Sequence, residues 1–147
     1  MLKWLGKSAA ASEDLTKRCT DAMTFTAEFI TVSLGQCPDD IQQQLNAQRF
    51  HALVAFEFGA MVEAAYTCRL TPDQGRACFH EVLKMVHTIS EEKVVEVSRR
   101  VGELHARNYP PIAAGAKAFT EYWEANDITA KQIAAQRLWS ILERQPL

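Results

Sequence analysis

Apolar residues recur along this chain at helical spacing, and no stretch alternates as a half-buried strand would. From about Glu13 to Leu34 a stripe of Leu15, Cys19, Ala22, Met23, Phe29 and Ile30 predicts a first helix. Ser12 stands where an N-cap belongs, Glu13 and Asp14 suit the positive end, and Gly35 suits the stop. Thr24, Thr26 and Thr31 lower the intrinsic propensity, so tertiary packing must hold this helix.

A second helix is expected after Cys37, with Pro38 in its first turn and Asp39 and Asp40 behind it, running to about Cys68 as the longest element. From Phe50 to Tyr66 it is apolar on nearly every side, the mark of a helix surrounded by other elements. Thr71-Pro72-Asp73-Gln74 reads as a capping box with proline at the first helical position. It opens a third helix to about Ile89, with Phe79, Val82, Leu83 and Val86 facing inward.

Ser90-Glu91-Glu92 opens a fourth helix to about Asn108, on which Val94, Val97, Val101 and Leu104 form a coiled-coil-like seam. Tyr109-Pro110-Pro111 ends it, and a fifth carries Ile112, Ala116, Phe119, Tyr122 and Trp123. Thr129 to Gln132 reads as a second capping box, opening a last helix with Ile133, Leu138, Ile141 and Leu142 inward. The pattern predicts an all-α, compact single-domain bundle of about six helices. The long second helix stands at its centre and the short connections imply mostly antiparallel neighbours.

Composition changes this picture little. The 147 residues are 48% apolar and 23% charged, ordinary for one globular domain. A net charge of −2 gives no drive toward nucleic acid. The charge is uneven, however: residues 1–68 hold five Lys or Arg against eight Asp or Glu. An acidic face on the first two helices would steer a basic partner. Cys19, Cys37, Cys68 and Cys78 show neither a C-x-x-C nor a Cys/His zinc spacing and read as reduced thiols of a cytoplasmic protein, Cys19 and Cys78 as small hydrophobes.

Within residues 1–12, Leu2, Trp4 and Leu5 with two lysines form too short a segment for stable membrane anchoring; it is expected to dock on the bundle or stay mobile.

Glu57 is the residue that simple packing does not explain. At i−4, i−3, i+3 and i+4 it has Leu53, Val54, Ala60 and Met61, and a carboxylate in an apolar stripe is costly unless paired or neutral. Two readings stand open. Glu57 bonds an Arg, Tyr or Trp of a neighbouring helix, or it lines a groove that a partner's cation enters. Asp39, Asp40, Glu63 and His51 complete the set of binding candidates on the same helix.

His80 and His87 share a face but lie roughly 10 Å apart along a helix, too far for one metal ion, and they read as polar flank residues. No catalytic residue, metal ligand or cofactor motif is assigned. On the fourth helix, Glu96–Arg100 and Glu103–Arg107 have the favoured order for ion pairs. Val95, Gly102 and Ala106 would let another backbone of the bundle approach closely, or a second subunit.

These features point to a non-enzymatic interaction protein of adaptor, inhibitor, immunity or toxin-neutralising type, acting through a helical surface on another, basic protein. The alternatives are a small-ligand-binding bundle with a pocket beside the second helix, and an enzyme in which Glu57 works with a distant His as acid and base.

Overall fold

The computed structural model describes residues 2–146, with side chains from residue 12 onward, and every regular element among them is helical. The elements are α1 (Leu2–Gly35), α2 (Asp39–Gln43), α3 (Ala47–Thr67), α4 (Pro72–His87), α5 (Glu91–Ala106), α6 (Pro110–Glu124), α7 (Ile128–Ala135) and α8 (Arg137–Glu143). The side chains of Leu2, Trp4 and Leu5 lie outside the described part. None of the described helices is long and apolar enough to cross a membrane.

Ser12 does not cap α1, because the helix runs back through it to Leu2. Ala9, Ala10 and Ala11 precede that serine, and three of the best helix formers outweigh one good cap.

The expected second helix is two helices, and α1, not this segment, is the longest element. The five-residue α2 ends at Gln43, and Asn46 restarts the chain by accepting the Arg49 amide at 2.9 Å. A side-chain cap inside an apparently continuous helical stretch satisfies orphan amides of a new first turn. Pro38 is the N-cap of α2, one place outside the position expected of it. The last helix also divides, at Gln136. It opens on Asp127, whose carboxylate accepts the Ala130 amide at 2.8 Å, and not on a Thr129 capping box. Ile133, expected inward, faces solvent with Ile128, while Ala134, Ala135, Leu138 and Leu142 lie inside.

The other boundaries follow the sequence closely. Thr71 and Gln74 exchange both bonds of the capping box that opens α4, and Ser90 caps α5 through Lys93. Val94, Val97, Val101 and Leu104 are all buried. On the solvated side of α5, Glu103 pairs backward with Arg99 at 2.6 Å and Arg100 at 3.0 Å, and not forward with Arg107. Helical side chains lean toward the N-terminus, which brings that carboxylate over the preceding turn.

Helix α3 touches α1, α4, α5, α6 and α8. Phe56 on α3 stacks on Phe29 of α1 at 5.7 Å, and Phe29 also meets Phe119 at 5.7 Å and Tyr122 at 5.3 Å. The closest approach is between α3 and α6. A Cβ on Gly59 would lie 1.8 Å from the Ile112 carbonyl oxygen, and one on Gly115 would lie 1.9 Å from that of Phe56. Each glycine hydrogen therefore points at the facing helix's carbonyl, a reciprocal Cα–H···O arrangement that only glycine permits. This crossing fixes how α3 lies in the bundle, and with it the residues that α3 offers to α4 and α5.

Candidate functional site

Two features of α3 bear on function: a buried polar pair on one side and an open apolar groove on the other. The pair is Glu57 and His87. Glu57 is 0% exposed, and its Oε2 lies 2.6 Å from Nε2 of His87, in the last turn of α4. The ring of His87 is only 10% exposed and stands edge-on to Phe50 at 5.6 Å between centroids. The other carboxyl oxygen, Oε1, is buried without a hydrogen-bond partner.

This overturns the reading of Glu57 as the wall of a groove that a partner's cation enters, because the carboxyl group is enclosed. It also corrects the expected partner type and the reading of His87 as a polar flank residue. The α4 C-terminus suits a cationic imidazole, since the last carbonyls of a helix carry its negative end.

Burial opposes protonation of His87, but the hydrogen bond and the charge of Glu57 outweigh it, and the pKa is raised above the ordinary value of 6.5. A histidine whose folded pKa is raised contributes stability that is fully present below its unfolded pKa and lost as pH rises through the folded one. The expected result is an imidazole that titrates above 6.5 by NMR, with the unfolding free energy from urea falling across that same interval. A His87 that titrates below 6.5 would contradict the pairing. His51 acts with the opposite sign. Burial, then the nearby Arg100 and Lys93, lower its pKa, so its contribution is lost on acidification.

The remaining expected site residues do not converge. Asp39 and Asp40 are exposed on α2, His51 is half-buried near the start of α3, and Glu63 is half-buried six residues beyond Glu57. None of these four makes an ion pair among the described residues. Glu63 lines a separate hollow of about 230 Å³ with Phe25, Phe119 and Trp123. Among the described residues no group of three or more His, Cys, Asp or Glu is arranged to hold a metal ion.

The groove lies between α3, α4 and α5 and has a volume of about 560 Å³. Phe58 and Phe79 meet edge to face in its wall at 5.3 Å, and Phe58 also meets His105 at 5.3 Å. Ala65, Gly75, Ser98 and Gly102 keep it open, and Val62 and Tyr66 stand on its rim. Val62 is 44% and Tyr66 80% exposed, so the apolar surface continues out of the groove onto the face of α3. Its polar lining is Thr71, Arg76, His80, Ser98 and His105, with no carboxylate. The Ser98 hydroxyl is buried and unpartnered.

The chain matches no family model, no curated protein and no solved structure. Its function therefore rests on its own geometry.

Gly102 corrects one more expectation. No atom lies within 4 Å of a Cβ built there, so no other helix of the bundle uses the close approach it permits. The small residues of α5 instead leave space. The sequence carried a signal for the groove in four small residues on three successive helices, at positions facing two phenylalanines. It was legible only once the helices were placed side by side.

Proposed function

We propose that this protein is an interaction module whose groove between α3, α4 and α5 receives an amphipathic helix of another protein. The observation that carries this reading is an apolar groove continuous with exposed apolar surface. Contiguous exposed apolar patches on a monomer mark places where something docks. A helix laid into such a groove buries its apolar face and leaves its polar face in water. The lining sets the partner's chemistry. With His80, His105 and Arg76 at the edges, the last paired with Asp73 at 3.1 Å, and no carboxylate in the lining itself, the groove suits a helix whose apolar stripe is flanked by Asp or Glu. The acidic face of α2, with Asp39 and Asp40, remains as the surface for a basic partner, but it has no apolar centre around which a stable interface would form.

Gly102→Leu tests the groove without harming the fold. It replaces an exposed helix-interior glycine where a side chain meets open space, so stability should rise by about 0.5–1 kcal/mol. The leucine side chain then occupies the groove. Affinity capture from the source cell with wild-type protein should recover a stoichiometric partner that the leucine variant loses. Equal recovery by both proteins would contradict the reading, and so would repeated recovery of the wild type alone.

The volume supports a second reading, a small apolar ligand, because pockets for such molecules run from about 300 to 1,000 Å³. The lining would then select an apolar body bearing an acid group. Titration with dansyl-undecanoic acid, followed by its fluorescence, distinguishes the two. Saturable binding that Gly102→Leu removes favours the ligand, and no enhancement favours the helix.

A further inference from the structure

Three of the four cysteines belong together. Cys19 lies on α1, Cys68 caps the C-terminus of α3, and Cys78 lies on α4. The thiol of Cys78 is buried and points at the Cys19 backbone, with Sγ 4.0 Å from that carbonyl oxygen. An independent contact brings in the third. Arg18, next to Cys19, donates from Nη1 to the carbonyl oxygen of Arg69, next to Cys68, at 2.6 Å. Cys19 is thus gathered with the distant Cys68 and Cys78 where α1 crosses the α3–α4 corner. Cys37, the fourth, lies elsewhere, donating to the Ser33 carbonyl at 3.5 Å.

We propose that Cys19 and Cys78 are a reversible disulfide site that fastens α1 to α4, with a low-molecular-weight disulfide as the oxidant. The half-buried Cys19 is the entry point. Its thiolate attacks one sulfur of the oxidant and stays bonded to it as a mixed disulfide, while the oxidant's S–S bond breaks and its other half leaves as a small thiol. Cys78 then loses its proton and attacks the Cys19 sulfur, expelling the second small thiol. The protein loses two hydrogens, and one small disulfide becomes two thiols.

Burial, with Cys19 adding to it, pushes the Cys78 thiol up to about 12, and burial raises Cys68 as well. Thiolate is therefore scarce at neutral pH, and the second step is slow there and faster in mild base. The bond would hold α4, which supplies Gly75, Arg76, Phe79 and His80 to the groove, in one place against α1. It would also close a long loop, the situation in which a cross-link restrains the unfolded chain most.

The test is incubation of the native full chain with oxidised glutathione at pH 8.5, then intact-mass and peptide mapping without reduction. The expected product is the chain less two hydrogens, carrying a Cys19–Cys78 link. Its thermal midpoint should lie roughly 5 °C or more above that of the reduced form, and dithiothreitol should restore the latter. Cys68→Ser should still form the link, and Cys78→Ser should stop at a glutathione adduct. A link mapped to Cys19–Cys68, or wild-type protein that only accumulates glutathione adducts, would overturn the assignment. Binding at the groove is not read in this experiment, so its failure leaves the interaction reading untouched.

Discussion

His87→Ala should be among the most damaging single substitutions in this protein, costing about 3–5 kcal/mol of unfolding free energy at pH 7. The reason lies in what it leaves behind. Glu57 is fully buried, one of its oxygens already lacks a partner, and the other is held only through His87 among the described residues. Removing the imidazole strands a carboxyl group in an apolar interior, and Phe50 loses the ring it packs against.

The matched substitution is expected to be mild. In the double variant Glu57→Leu/His87→Leu neither polar group remains to be satisfied, and exchanging a buried pair for apolar residues of similar size is often neutral or better. That variant should lie within about 1–2 kcal/mol of wild type. Urea unfolding of the three proteins checks the contrast. If His87→Ala costs less than about 1 kcal/mol, the bond is not holding Glu57 inside.

Gly59→Ala and Gly115→Ala should each cost about 3 kcal/mol, the upper end of what overpacking costs, although they add one methyl group to a helix and alanine is the better helix former. The added carbon would fall 1.8 Å or 1.9 Å from a carbonyl oxygen of the facing helix. The obstacle is backbone, so relief requires α3 and α6 to move apart, and the contacts of Phe56 and Phe119 on those helices move with them. Gly102→Leu provides the control in the same molecule, because there the helix gains propensity and meets no obstacle. Thermal unfolding should place the two α3–α6 variants far below wild type and Gly102→Leu at or above it. A small effect at Gly59 would mean that α6 does not press on α3 as described.

The all-α architecture was readable from periodicity because each helix buries a stripe that recurs at 3.6 residues. Ser90 and the Thr71–Gln74 box were readable because side-chain caps act within four residues. The break at Gln44–Asn46 was not. The surrounding residues carry no glycine or proline; the C-cap of α2 is Gln44, an ordinary polar residue, and the cap that starts α3 is a single asparagine two places on. Ser12 misled in the opposite direction, as a good cap in a sequence that favours continuing helix.

The site was legible only in part. Glu57 stood out because the cost of a carboxylate among apolar neighbours is a local property. Its partner did not, because His87 is 30 residues away and reaches it only through the packing of α4 on α3. The same holds for Gly59 and Gly115, whose meaning depends on which helix faces them. It holds again for the cysteines, whose sequence spacing resembles no motif. The groove is the extreme case, since its defining feature is space between three helices that no single stretch of sequence contains.

The proposed role of the groove between α3, α4 and α5 makes a definite demand on where a partner binds. Amide and methyl chemical-shift mapping of the isotope-labelled protein against its recovered partner tests it most directly. The largest changes should fall on Phe58, Val62, Tyr66, Phe79, Gly102 and His105. Changes concentrated instead on α2 and the exposed acidic residues of α1 would place the interface on the opposite electrostatic face and contradict it.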